Sequence, residues 1–177
     1  MALKDSRTCK IGSGLVAMAG GVALLLSAGG PALASASSGS TTTTAAVNSR
    51  ITLSGLTSAF TMTGDPSSTV TSPGATTMNV LTNNQTGYAV TVQAAAAALA
   101  PATAGNTDSI PIGNLKVKDG GATTYAALSN TTATTVHSTT ARSAGSGDTV
   151  TNDYQLAIPF VNADNYTATL NYIAATH

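Results

Sequence analysis

The stretch VTNDYQLAIPFVNADNYTATLNY, Val150–Tyr172, decides the fold. Val150, Tyr154, Leu156, Ile158 and Phe160 fall in one phase of a two-residue alternation, with Thr151, Asp153, Gln155 and Ala157 in the other. Successive side chains of a strand point to opposite faces, so this pattern describes a strand with one buried face. Tyr166, Ala168, Leu170 and Tyr172 repeat it after Asn162-Ala163-Asp164-Asn165, a run of turn formers. The spacing predicts two antiparallel strands joined as a hairpin, with Tyr154, Tyr166 and Tyr172 on the core side.

The same alternation runs upstream. Ala45–Leu53 alternates Ala45, Val47, Ile51 and Leu53 against polar neighbours, and Phe60 and Met62 alternate with Thr61 and Thr63 before the turn Gly64-Asp65-Pro66. Thr76–Thr82 and Tyr88–Gln93 flank Asn83–Gly87 and read as a second hairpin. Ala94–Ala100 reads as a short helix or a loop, stopped by Pro101. Ile110, Ile112, Leu115 and Val117 mark another strand region, which Asp119-Gly120-Gly121 turns toward Tyr125–Leu128. Asn130–Gly147 is rich in Thr, with Val136 as its one inward residue, and reads as an edge strand between loops. About eight short strands with turns at this spacing predict an all-β protein, an antiparallel β-sandwich of Ig-like or jelly-roll topology.

Composition agrees with that class. Thr, Ser, Ala, Gly and Asn dominate, Glu and Trp are absent, and the residues of soluble helices are scarce. At the start of the chain, Lys4, Arg7 and Lys10 precede the apolar run Ile11–Ala28 and the small-residue site Pro31-Ala32-Leu33-Ala34. Residues 1–34 therefore read as a secretory signal peptide, cleaved after Ala34 or after Ala36. That reading predicts export and contact with a membrane only before cleavage. Residues 35–44, SASSGSTTTT, read as a flexible leader, and 45–177 as one domain. The only cysteine, Cys9, leaves with the signal, so the exported chain is held by packing without disulfides.

After Ala34 the charges are Arg50, Lys116, Lys118 and Arg142 against Asp65, Asp108, Asp119, Asp148, Asp153 and Asp164, a net −2. That balance offers no basic surface for a nucleic acid. No nucleophile elbow, paired-histidine motif or phosphate loop occurs, and His137 sits among threonines, so no catalytic residue and no cofactor is expected. Asp148, Asp153 and Asp164 are the candidate calcium donors, in two loops rich in oxygen; ordinary turn chemistry also accounts for them. Tyr88 and Tyr125 are the tyrosines left free for stacking on a sugar. Lys116 and Lys118 alternate with Leu115 and Val117 and should face water, which argues against a buried isopeptide. Val47, Ile51 and Leu53 would be the anchors if Ala45–Leu53 completed the sheet of a second copy.

The segments TMNVLTNNQTGYAVTV, Thr77–Val92, and DYQLAIPFVNADNYTATLNYIAAT, Asp153–Thr176, resemble small exported β-sandwich surface proteins of Gram-positive bacteria. The named group they are most similar to is the WxL-type cell-wall-binding domain, with fimbrial and biofilm-fibre subunits as looser relatives. In the WxL pattern a Tyr-led last strand carries Trp-x-Leu; here Tyr172 and Ala174 stand in those two places. The expectation is a secreted, non-catalytic structural or adhesive component of the cell surface or extracellular matrix, attached noncovalently. Its partners would be itself, other surface proteins or cell-wall glycan. Two alternatives stay open, a fibre subunit assembled by strand exchange through Ala45–Leu53, and a glycan- or cell-wall-binding module.

Overall fold

The computed structural model describes residues 36–177. The signal peptide read in residues 1–34 and Cys9 lie outside the described residues. The chain divides into two units, Met1–Thr44 and Ala45–His177. Of the first, residues 36–44 carry no ladder and are exposed. Among the described residues no helix is long and apolar enough to cross a membrane.

The second unit is all-β and antiparallel. Its strands are β1 (Ile51–Ser54), β2 (Thr69–Thr82), β3 (Tyr88–Ala94), β4 (Ala98–Pro101), β5 (Ile110–Pro111), β6 (Leu115–Asp119), β7 (Ala126–Ala127), β8 (Thr134–Thr139), β9 (Asp148–Ala157), β10 (Tyr166–Thr167) and β11 (Leu170–Thr176). One sheet runs β1-β2-β9-β6-β7, a second β11-β3-β8, and a small third β10-β4-β5. The core lies between the first two. Met78, Val80, Val117, Val150, Tyr154 and Leu156 bury one face of the larger sheet against Tyr88, Val90, Val92 and Val136 of the other. Burying a side chain of this kind contributes about 1.5–3 kcal/mol each, before the entropy of ordering the chain is set against it.

β2 and β9 form the longest ladder, from Thr69 opposite Ala157 to Val80 opposite Asp148. It is broken once, between Ser72 and Thr76, by the bulge Pro73-Gly74-Ala75. The bulge is where a proline, which has no N–H for a ladder, can be housed inside a strand. Gly74 takes φ +60°, and its N–H donates to Asp153 Oδ1 at 2.7 Å. Asp153 also pairs with Lys118 Nζ at 2.8 Å from β6, so one carboxylate ties three neighbouring strands. The Lys118 ammonium, followed by the Gly74 N–H, holds the Asp153 carboxyl below its ordinary value.

Both predicted hairpins are corrected. β2 and β3 belong to different sheets, as do β9 and β11, so Asn83–Gly87 and the loop after β9 arch across the sandwich. In each case both strands bury one face. Alternation reports a buried face and is the same whether two strands lie side by side or face each other. Gly87 is what the first arch requires. It sits at φ +89°, and a Cβ there would lie 2.0 Å from the carbonyl oxygen of Thr139.

Other boundaries move for similar reasons. The first strand shrinks from Ala45–Leu53 to Ile51–Ser54, because its partner β2 ends at Thr82, opposite Ile51. Phe60–Thr63 joins no ladder; Phe60 stacks on Tyr154 with ring centroids 4.6 Å apart, so its alternation records packing against the core. Ala94–Ala100 yields strand β4, where Leu99 is buried opposite Ile110. The Ile110–Val117 region is split by a 3₁₀ turn, Ile112–Asn114. Phe160 leaves the pattern after Pro159 and is 87% exposed, whereas Tyr88, expected to be free, is completely buried. β8 lies at the edge of its sheet with Val136 inward.

Replacing Met78, 1% exposed at the centre of β2, by Ala is expected to cost about 2–5 kcal/mol in chemical denaturation. Phe160→Ala, at an exposed site, should stay within about 0.5 kcal/mol of the wild type.

Candidate functional site

β1 covers only Asn79–Thr82 of the long strand β2, and beyond it the Thr57 N–H reaches Thr77 O at 2.9 Å. From Thr76 back to Thr69, that side of β2 meets no strand among the described residues. The sandwich is therefore open there. A groove of about 920 Å³ runs under the segment 56–66, with walls that include Leu56, Phe60, Met62, Ile158, Val161 and Leu170. All six are partly buried against the core, so the groove exposes apolar surface continuous with the protein interior.

Polar groups meet the groove at Thr76 and Tyr172, which both line it. The Tyr172 hydroxyl lies 3.0 Å from Thr76 Oγ1 and is hydrogen-bonded to the Tyr154 hydroxyl. Burial pushes the phenols of Tyr154 and Tyr172 up from their ordinary value, so both stay protonated at neutral pH. Chemically this is a binding surface, with an apolar wall and hydroxyls able to donate or accept. The cluster combines β2, β9 and β11, and no sequence motif announces it. Its only trace was the shared phase of Tyr154 and Tyr172 with core residues.

The candidate calcium donors are engaged by protein donors and stand apart from one another. Asp148 Oδ1 accepts from Ala144 N at 2.9 Å and its Oδ2 from the Tyr88 hydroxyl at 3.0 Å. Asp153 is held by Lys118 and Gly74 as described. Asp164 accepts from Asn106 Nδ2 at 2.8 Å, from Thr103 N and Oγ1, and from Asn165 N. These bonds, the Asn106 amide first, lower the Asp164 carboxyl from 3.8 to about 2. Among the described residues no group of three or more His, Cys, Asp or Glu is placed to hold a metal ion.

Of the strand-exchange anchors, Ile51 and Leu53 are partly buried against their own core, while Val47 is 82% exposed. His137 forms a contact that its sequence neighbours do not suggest. Its Nδ1 lies 2.8 Å from Asp119 Oδ2, where the end of β6 meets β8. Tyr125 is partly buried, with the Lys118 ammonium 5.4 Å from its ring centroid. Tyr166 donates to Asn162 O at 2.9 Å. No protein-family model and no curated protein sequence matches the chain.

Two outcomes follow. Tyr172→Phe removes the hydroxyl shared by Thr76 and Tyr154, and calorimetry should show a loss of about 1–3 kcal/mol from the polar groups left unpaired. The depressed Asp164 carboxyl stabilises its loop above pH 3.8, a contribution lost as pH falls toward about 2. Protection of the Thr103 and Asn165 amides relative to their intrinsic exchange rates should fall through that window, and Asp164→Asn should abolish the step.

Proposed function

We propose that the protein is a secreted, non-catalytic structural or adhesive component of the bacterial cell surface or extracellular matrix. The observation that carries this reading is the use of the acidic groups. Asp108, Asp148, Asp153 and Asp164 each accept hydrogen bonds from nearby backbone or side-chain donors, which makes them parts of loops and bulges. The signal-like start supports export, and the Thr-rich strands support a durable, weakly charged exterior. The resemblance to exported β-sandwich proteins points the same way by analogy alone. Expression from the whole gene should yield protein outside the cell whose mass begins at Ser35 or Ser37. Retention inside the cell, or a hydrolytic activity abolished by His137→Ala, would overturn the reading.

A second reading, assembly by strand exchange, is favoured by β1. It has four residues, is followed by no ladder from Gly55 to Ser68, and is preceded by an exposed leader outside any ladder. A four-residue strand is held by few bonds, and a head-to-tail exchange extends into a filament when its rotation does not close into a ring. Thr52 and Leu81 face each other across the β1–β2 ladder, and residues 35–177 contain no cysteine. Thr52→Cys and Leu81→Cys proteins, mixed and oxidised, should form a covalent dimer if β1 is exchanged. The double variant closing only within one chain would refute exchange.

A further inference from the structure

Residues 36–177 hold four basic side chains, Arg50, Lys116, Lys118 and Arg142. Lys118 is committed to Asp153. Arg50 and Arg142, distant in sequence, line a single concavity of about 860 Å³ beside Asn48, Thr52, Leu81 and Asn83. Among the described residues no carboxylate lines it, and neither guanidinium is ion-paired.

Their convergence is built into the fold. The Arg50 N–H donates to Asn83 Oδ1 at 2.8 Å, and the Arg50 carbonyl accepts from Thr82 Oγ1 at 2.8 Å. On the other side, Ser143 is only 6% exposed. Its Oγ accepts from Thr82 N at 2.8 Å and lies 3.0 Å from Thr82 O as a donor. Asp148, which anchors the neighbouring Ala144, is turned to the Ala144 N–H and the Tyr88 hydroxyl. Thr82 and Asn83, at and just after the end of β2, thus hold the Arg50 backbone and Ser143, the residue next to Arg142, while both arginine side chains remain exposed.

Two guanidiniums lining one concavity, with no carboxylate among its lining residues, add their positive potentials there, and an oxyanion is attracted by both. The planar fork of arginine matches phosphate and carboxylate oxygens in pairs. The space far exceeds one such ion, and Leu81, 42% exposed, and Thr52 offer a surface for uncharged atoms next to it. We infer that this concavity binds an oxyanion, phosphate or carboxylate, with room beside it on Leu81 and Thr52 for the rest of the molecule that carries it. The inference does not depend on where the protein acts.

The test is fluorescence anisotropy of the chain from Ser35 with labelled polyphosphate and labelled polygalacturonate, and neutral dextran as control. Saturable binding to one polyanion is expected, weakening as salt is raised. Preference for polyphosphate assigns the anion as phosphate, and preference for polygalacturonate as carboxylate. Arg50→Gln and Arg142→Gln should each weaken binding about tenfold or more, with melting unchanged because both side chains are exposed. Lys116→Gln removes the same charge from the far end of the ladder system and should leave affinity unaltered. No binding to either polyanion, equal binding to dextran, or a Lys116→Gln loss matching the arginine variants would overturn the assignment.

Discussion

The ladder between β2 and β9 is the contact on which the remaining structure hangs. Each strand of this pair carries a second neighbour, β1 on β2 and β6 on β9, so the larger sheet is built outward from it. The pair is also where sequence irregularity is absorbed. Pro73 and Gly74 would break a regular strand, yet in the bulge they present one N–H to Asp153, which then draws in Lys118 of β6. A short-range defect becomes a three-strand tie. The ladder resumes at Thr76 opposite Asn152, both buried, with the inward phase restored for Met78, Val80 and Val150.

Opening the sandwich at one side follows from the same ladder. β2 is fourteen residues long and β1 is four, so most of that side of β2 meets no strand among the described residues. The segment from Leu56 to Met62 lies over the gap, held by Phe60 on Tyr154 and by Thr57 on Thr77. The tyrosine and threonine hydroxyls meet beneath it. At the opposite end of β2, Thr82 and Asn83 gather the two arginine-bearing segments. One strand therefore sets both concave surfaces, an apolar one beside its first half and a cationic one at its end.

Class and strand phase were legible in the residues. Val150, Tyr154 and Leu156 are buried as their alternation requires, and Leu115 and Val117 are buried while Lys116 and Lys118 take the other face. The failures share a cause. Ala95–Ala97 bend and Ala98–Pro101 pair because Leu99 finds Ile110, a tertiary contact that outweighs the helical preference of alanine. Tyr88 was left free at the start of its strand although it shares the phase of Val90 and Val92; its ring is buried with theirs and its hydroxyl reaches Asp148. Neither site was legible. The groove is made of residues separated by long stretches of chain, and arginines at 50 and 142 have no sequence relation until Arg50 and Ser143 are both bonded to Thr82.

By itself the sequence determined that this domain is β-rich, which face of each main strand turns inward, and that residues 35–177 must hold together without disulfides. Those properties depend on neighbours two residues apart and on composition, so local chemistry suffices. Tertiary structure alone decided that β2 and β3, and likewise β9 and β11, lie in different sheets and do not pair as hairpins. A strand with one buried face satisfies its side chains in either arrangement. The choice falls to contacts between distant segments, such as Thr76 against Tyr172, whose geometry exists only when the two sheets are closed on each other.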